Sequence, residues 1–141
     1  KMATARQLMD VMTNSLTQRA IYRYVQENNL DDHITSIINR YRQHRNIMLA
    51  AMQKHFPREV HWITPEGGMF IWVTLPASID TSELLPAAIE EKVAFVPGRP
   101  FYAGQVANNT MRLNFSNSTP ELIETGIARL GSLLQKCFTN A

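Results

Sequence analysis

The stretch from Val93 to Ser116 constrains the fold of this chain most, because it places an arginine inside an apolar strand. Its sequence, VAFVPGRPFYAGQVANNTMRLNFS, predicts two short buried strands, VAFV and MRLNF, joined by a loop rich in glycine, proline and aromatic residues. Arg112 lies within the second strand. A buried guanidinium without an anionic partner is costly, so Arg112 requires a carboxylate from the protein or from a bound ligand.

The composition of the 141-residue chain is typical of a globular domain and argues against several functions. Hydrophobic residues make up 45% and charged residues 18%, which is enough apolar material for one core. The net charge of +2 is too small to favour nucleic-acid binding. The 4 histidines share no metal-ligand spacing. The single cysteine, Cys137, excludes an internal disulfide and suits a reducing compartment, so we expect a cytoplasmic protein without a membrane span.

Residues 1–28 have the apolar spacing of a helix that is interrupted once. The polar residues Thr13, Asn14 and Ser15 stand at the interruption, and we expect Asn14 or Ser15 to cap the helix that follows. The alternative is a polar patch that faces a bound ligand.

The chain does not begin with Met, and its first residues already follow an amphipathic pattern. We therefore expect a piece of a longer protein, with the apolar face of the first helix left exposed. An exposed face of this kind favours self-association, so we expect an oligomer. The face consists of Leu8, Met9, Met12 and Leu16.

A long helix is predicted from about residue 31 to residue 56. Asp31 or Asp32 would cap its start, an apolar stripe follows its length, and Pro57 would end it. The simplest interpretation of its opposite, basic face is a solvated surface. A phosphate or nucleic-acid patch is the alternative, which the small net charge disfavours. The basic residues are Arg40, Arg42, His44 and Arg45.

The rest of the chain predicts a hairpin, a short helix, two strands and a closing helix. Residues 60–63 and 69–75 have strand patterns, and the turn between them contains Gly67-Gly68, which either serve the turn or let a ligand approach closely. Helices are predicted at 81–91 and after the capping sequence at 118–121. Short mixed or antiparallel strands with helices packed on one side make an α+β domain of two layers.

Arg112 and Asn114 are two residues apart in one strand and therefore share a face of the sheet. Arginine suits two-point recognition of a planar carboxylate. The residues alone leave two partners open. One is an internal carboxylate, from Glu66, Glu83 or Glu90, and the other is the carboxylate of a ligand. The chain contains no nucleophile elbow and no phosphate loop.

Four motifs resemble the fold-type I pyridoxal-phosphate aminotransferases, of class I/II. They are TNSLTQRA at 13–20, PEGGMFIWVTLP at 65–76, VAFVPGRPFY at 93–102 and MRLNFSNSTPELIETGIARL at 111–130. Within that family the sequence looks most like the group that contains 2-aminoadipate transaminases and the aminotransferase-like domains of GntR-type (MocR) regulators. The resemblance covers nearly the whole chain. It implies that residues 29–141 form the C-terminal small domain and that residues 1–28 connect it to a large domain.

The resemblance implies roles for residues of the sheet. In the family, the arginine of the RLNFS-type strand binds the α-carboxylate of the amino-acid substrate. That role falls to Arg112, with Asn114 beside it. The family's GGMF turn lies beside the substrate, which implies that Gly67 and Gly68 line the site.

The resemblance also implies further lining residues. The TNSLTQ segment is similar to one that approaches the active site, often that of the partner subunit in a dimer. Thr13, Asn14 and Ser15 are therefore candidates for the lining. Arg99 stands where the family often has Ser-Ala after the PG pair, and it is a further candidate.

The chain departs from the family in the groups that hold the cofactor. The family's lysine lies in a Ser-x-x-Lys motif upstream of TNSLTQ, and this motif is absent here, as are the aspartate partner of the pyridine nitrogen and the phosphate-binding groups. The lysines present are Lys1, Lys54, Lys92 and Lys136. We therefore expect no catalytic residue and no bound pyridoxal 5'-phosphate in this chain alone.

We interpret the chain as the C-terminal part of a pyridoxal-phosphate-dependent aminotransferase that acts on amino acids and 2-oxo acids as a homodimer. By itself it should be inactive. One alternative is the ligand-sensing domain of a MocR-type transcriptional regulator, in which an upstream domain would bind DNA. Another is an interaction module without a small-molecule role, which requires Arg112 to pair with an internal carboxylate.

Pyridoxal 5'-phosphate should not label this chain at one defined lysine, because the lysine motif of the family is absent. The measurement is intact mass after mixing with the cofactor and reduction with borohydride. A stoichiometric adduct on a single lysine would show that the chain carries its own cofactor site and would contradict this interpretation.

Overall fold

The computed structural model describes Thr4 and residues 14–139. Chain contacts divide the protein into two compact units, residues 1–38 and 39–141. The elements in chain order are α1 (Ser15–Glu27), α2 (Leu30–His55), β1 (His61–Trp62), β2 (Phe70–Thr74), α3 (Thr81–Glu90), β3 (Val96–Pro97), a 3-10 helix (Arg99–Phe101), β4 (Thr110–Asn114) and α4 (Pro120–Thr139). The α+β class predicted from the sequence is confirmed.

An asparagine precedes each of the first two helices, α1 and α2. The Asn14 Oδ1 accepts hydrogen bonds from the N–H groups of Leu16 and Thr17 at 3.0 and 3.1 Å, so the predicted cap at Asn14 is confirmed. Asn29 does the same for α2, where its Oδ1 accepts from the N–H groups of residues 31 and 32 at 3.1 and 3.4 Å.

The predicted cap at Asp31 or Asp32 is therefore wrong. Both aspartates lie inside the first turn of α2, where their charge faces the positive end of the helix dipole. Of the apolar face expected at the start of the chain, Leu8, Met9 and Met12 lie outside the described residues, as does Thr13. Leu16 is 76% exposed.

A four-stranded antiparallel sheet forms the centre of the second unit. Its strand order is β1-β2-β4-β3, so β4 is an inner strand between β2 and β3. The predicted hairpin of residues 60–75 is confirmed by the β1–β2 pair, which aligns His61 with Thr74 and Trp62 with Val73. Because neighbouring residues of a strand point to opposite faces, each strand divides its side chains between a core face and an outer face.

The core lies on one face of the sheet, under the helices. Ile71 and Val73 of β2 and Met111 and Leu113 of β4 are buried there. The helices contribute Met48, Ala51 and Met52 from α2, Leu84 and Ala88 from α3, and Ile123, Ile127, Leu130 and Leu134 from α4. This arrangement leaves the outer face of the sheet without cover from the α-helices that form this core.

The predicted buried strand VAFV at 93–96 is wrong in extent, because α3 ends in a turn that uses its first residues. The N–H of Val93 donates to the Ala88 carbonyl, and Lys92 takes a positive φ of 61°. A residue in the left-handed conformation commonly ends a helix. Here the turn that it forms occupies residues that were expected to begin the strand. β3 therefore begins at Val96, which pairs with Arg112.

Two glycines of α4 should respond oppositely to replacement by alanine. A Cβ at Gly131 would clash with the backbone carbonyl of His55, whereas a Cβ at Gly126 would meet nothing within 4 Å. We expect Gly131→Ala to lower the free energy of unfolding by about 1–3 kcal/mol through overpacking. Gly126→Ala should raise it by up to about 1 kcal/mol through helix propensity. Urea denaturation of the two variants measures both effects, and equal responses would contradict the close approach of α4 to the end of α2.

Candidate carboxylate-binding site

Arg112 occupies the centre of the outer face of the sheet. In the antiparallel register it lies opposite Trp72 on one side and Val96 on the other. It is partly buried, while its neighbours Met111 and Leu113 are buried in the core on the opposite face. The apolar residues on either side in the sequence thus serve the core, and the arginine belongs to a different surface.

Two aromatic rings enclose the guanidinium of Arg112. Its Cζ lies 4.0 Å from the centroid of the Phe70 ring and 4.5 Å from that of the Phe101 ring. The Trp72 ring makes edge-to-face contacts with the rings of Phe101 and Tyr102, at centroid distances of 5.7 and 6.2 Å. Ring faces attract a guanidinium through their quadrupoles, and each contact stabilises by roughly 0.5–2 kcal/mol. The rings therefore restrict the positions that the guanidinium of Arg112 can take.

The hydrogen-bonding capacity of Arg112 is left unused by the described residues. Its Nε is buried and has no hydrogen-bond partner there. The ion pairs of the described residues, Arg23–Glu27, Lys54–Glu124 and Lys136–Glu91, do not involve Arg112. An unpaired buried donor costs about 1–3 kcal/mol, which makes this nitrogen a strong candidate to bind an anion.

The internal salt bridge considered from the sequence is absent among the described residues. Glu66, Glu83 and Glu90 are all exposed, and none of them pairs with Arg112. The interpretation as an interaction module requires Arg112 to pair with an internal carboxylate. The described residues contain no such pair. Of the two partners that the sequence left open, a ligand carboxylate remains.

The Gly67-Gly68 turn is open to solvent. An added Cβ at either glycine would meet no atom within 4 Å. Only Gly68 needs to be glycine for the backbone, since its φ is +81°. The turn leads directly into β2, and the N–H of Phe115 donates to the Met69 carbonyl at 3.1 Å. The turn and the end of β4 are thus neighbours along one edge of the outer face.

Asn114 shares the outer face with Arg112 but uses its side-chain oxygen locally. Its Oδ1 accepts from the N–H and hydroxyl of Ser116, at 2.8 and 3.0 Å, and from the N–H of Asn117 at 3.3 Å. These bonds shape the turn after β4. Any contact of Asn114 with a ligand would therefore come from its amide nitrogen.

The other predicted lining residues lie in a 3-10 helix and at the start of α1. Arg99 is exposed at the start of the 3-10 helix that carries Phe101. Asn14 caps α1, and Ser15 is the exposed first residue of that helix. Both Asn14 and Ser15 belong to the first compact unit.

Sequence reasoning missed the aromatic enclosure and two residues of the basic helix face. Phe70 and Phe101 lie in motifs that the sequence had marked, GGMF and RPFY, but their convergence on one guanidinium depends on sheet register. His44 and Arg45 were interpreted as solvated. Both instead make hydrogen bonds to distant backbone carbonyls, at the end of β4 and at the turn before β2.

The site fits a carboxylate and does not fit a pyridoxal cofactor held by this chain alone. Lys54 and Lys136 are exposed on helices of the core face and pair with Glu124 and Glu91. Lys92 is exposed in the turn that ends α3. None of these three described lysines lies in β2, β3 or β4 beside Arg112. The described residues also contain no cluster of histidine, cysteine and acidic side chains that could hold a metal ion.

The family model described as aminotransferase class I and II matches residues 2–130. The chain belongs to this aminotransferase family. It is 43% identical over 136 residues to an aromatic-amino-acid aminotransferase of Thermococcus litoralis, a match that covers 96% of this chain and 33% of that protein. As an aminotransferase-family chain, it thus spans about a third of the length of this relative.

Structural comparison agrees with the family assignment. The crystal structure of an α-aminoadipate aminotransferase from Thermus thermophilus, complexed with N-(5'-phosphopyridoxyl)-L-leucine, matches with a TM-score of 0.91 and 33% identity over 98% of this chain and 35% of that one. An uncharacterised helix-turn-helix transcriptional regulator of Escherichia coli is 28% identical over 131 residues, covering 92% of this chain and 28% of the regulator.

Replacing Arg112 of this aminotransferase domain should hardly change stability. Arg112→Met removes two ring contacts worth roughly 0.5–2 kcal/mol each and an unpaired donor that costs about 1–3 kcal/mol, so the two effects nearly cancel. We expect the free energy of unfolding to change by less than about 1 kcal/mol. Leu113→Ala, the control on the core face of the same strand, should cost about 2–5 kcal/mol. A loss at Arg112 as large as that at Leu113 would indicate a structural role for the arginine.

Proposed function

We propose that this chain is the part of a pyridoxal-phosphate-dependent aminotransferase that binds the α-carboxylate of amino-acid and 2-oxo-acid substrates. The observation that supports this function is the guanidinium of Arg112, held between Phe70 and Phe101 with a buried Nε that has no partner among the described residues. Membership of the aminotransferase family makes a substrate carboxylate the natural partner.

Arg112 would act by orientation. A guanidinium can form two parallel hydrogen bonds to a carboxylate, which fixes both the position and the rotation of the bound molecule. The rings of Phe70 and Phe101 shield part of the guanidinium from water, so the charge interaction would be stronger than in bulk solvent. The Gly67-Gly68 turn, the amide of Asn114 and Arg99 would line the rest of the bound substrate.

The cofactor would be held by residues outside this chain. Pyridoxal 5'-phosphate, when bound, supplies an electron sink for the carbanion that forms at the substrate Cα. The present residues would contribute orientation of the Cα–H bond toward the base that removes its proton. Correct orientation of reacting groups can be worth several kcal/mol.

Several further properties belong to the proposal. Residues 29–141 would form the small domain and residues 1–28 the connection to a large domain, with Thr13, Asn14 and Ser15 near the active site of a partner subunit in a homodimer. A cytoplasmic location is proposed from the single cysteine. Among the described helices, none combines the length and apolar character needed to cross a membrane.

A ligand-sensing role in a transcriptional regulator is the second candidate. The observation that favours it is the 28% identity to the Escherichia coli regulator. Arg112 would then bind the carboxylate of an effector amino acid, and DNA would be a partner of an upstream domain. The open reading frame that contains this chain separates the two, since a basic helix-turn-helix at its start is expected only for the regulator.

In the full-length protein, Arg112→Met should lower kcat/KM for an L-amino acid by an amount equivalent to about 2–4 kcal/mol, because a desolvated charge pair is lost. The substrate of choice is L-leucine, whose phosphopyridoxyl adduct is bound in the Thermus structure. Activity toward 3-methylbutylamine, which lacks the carboxylate, should not fall. The control is Arg129→Met, an exposed arginine of α4. Equal losses on both substrates, or little loss on L-leucine, would remove Arg112 from the site.

A further inference from the structure

We propose that Arg45 and His44 of α2 are positioning residues, which hold the glycine turn and the end of β4 so that Phe70 and Arg112 meet correctly. This inference rests on the proposed function of Arg112. The two residues are called the helix latch below.

Arg45 holds the turn before β2 through its backbone. Its Nη1 donates to the Pro65 carbonyl at 2.9 Å and to the Glu66 carbonyl at 3.4 Å. Its Nε and Nη2 donate to the Asn46 Oδ1 at 3.1 and 2.9 Å, so the neighbouring asparagine orients the guanidinium. A charged donor strengthens a hydrogen bond to a carbonyl relative to a neutral one. Arg45 is partly buried, unlike the neighbouring Arg42.

His44 holds the other side of the same edge. Its Nδ1 lies 3.0 Å from the Phe115 carbonyl, and because a carbonyl can only accept, this nitrogen must carry the proton. The N–H of Phe115 donates to the Met69 carbonyl at 3.1 Å. Both backbone groups of Phe115 are thus engaged, one by the helix and one by the turn.

The helix latch restrains the Gly67-Gly68 turn, whose conformation the sequence alone does not fix. Two adjacent glycines give the turn many accessible conformations, and no atom lies near where their side chains would be. The hydrogen bonds from Arg45 fix residues 65 and 66, only a few residues before Phe70. The turn leads directly into β2, so these hydrogen bonds add to the pairing of Phe70 with Asn114 in holding the Phe70 ring, 4.0 Å from the guanidinium that would bind the substrate.

A chain of contacts thus runs from α2 to the substrate carboxylate. It passes from Arg45 to the turn, from the turn to Phe70, and from Phe70 to Arg112. His44 adds a second connection through Phe115, which follows Asn114 directly. A helix is a stiff element. Two consecutive residues of α2 can therefore hold the start of β2 and the end of β4 in fixed positions relative to each other.

The first test measures the turn without using activity. Hydrogen exchange of the Phe115 amide, which donates to the Met69 carbonyl beside the turn, is followed in the full-length protein by mass spectrometry of peptides that contain residue 115. Arg45→Met should raise the exchange of this amide by roughly 10-fold, since a hydrogen-bonded restraint on the neighbouring turn is lost. Arg42→Met is the matched control, because Arg42 lies on the same helix and donates only to the Asn39 Oδ1, at 3.1 Å, among the described residues. Exchange in that variant should match the unmodified protein.

The second test measures the consequence for binding. Arg45→Met should raise KM for L-leucine by about 10-fold and lower kcat less, because orientation of the carboxylate site is impaired while the rest of the protein is intact. Arg45→Lys restores the charge and one donor to the carbonyls and should recover part of the loss. His44→Phe, which removes the bond to Phe115, should shift KM in the same direction.

The outcomes separate the latch from the proposed function. The latch is overturned if exchange of the Phe115 amide is the same in Arg45→Met and Arg42→Met. It is also overturned if exchange rises uniformly over the whole protein and Arg45→Lys recovers nothing, since Arg45 would then be a general stabilising residue. If Arg112→Met leaves activity on L-leucine unchanged, the proposed function fails instead, and the exchange result still decides whether Arg45 holds the turn.

Discussion

The contact of the Arg112 guanidinium with two aromatic rings is the interaction on which the rest of the site depends. The guanidinium lies between the rings of Phe70 and Phe101, and its Nε is buried without a partner among the described residues. A fold that served stability alone would have paired or removed this charge, because an unsatisfied buried donor is unfavourable. Family membership and this unsatisfied donor both support the proposed role of Arg112 in binding a carboxylate.

Side chains along each strand alternate between two faces, so the residues of the core and the residues of the candidate site lie on opposite faces of the sheet. In β4, Met111 and Leu113 are buried in the core while Arg112 between them faces the other way. Substitutions on the core face are therefore expected to change the free energy of unfolding, and substitution of Arg112 is expected to change the proposed binding. Apolar side chains on that face also reach solvent, including Phe101 at 48% and Val96 at 40% exposure.

Much of the fold follows from local pattern. Asn14, the stripe of α2, the hairpin around Gly67-Gly68 and the closing helix were all predictable, because caps and apolar periodicity act over a few residues. The start of α2 and the extent of β3 were not. Asn29 caps α2 in place of Asp31 or Asp32. The left-handed turn at Lys92 moves the start of the strand after α3 to a later residue than predicted. Both errors arise where two local signals compete.

The sequence by itself determined that an arginine stands in an apolar strand and that the strand carries the motif of an aminotransferase. It did not determine what surrounds the guanidinium. That depends on register, which sets Trp72 and Val96 opposite Arg112, and on loops that bring Phe70 and Phe101 together from segments about 30 residues apart. His44 and Arg45 show the same limit, since a basic face of a helix is polar both in solvent and against backbone carbonyls. Only the tertiary structure decides between the two, because the partners are distant in the chain.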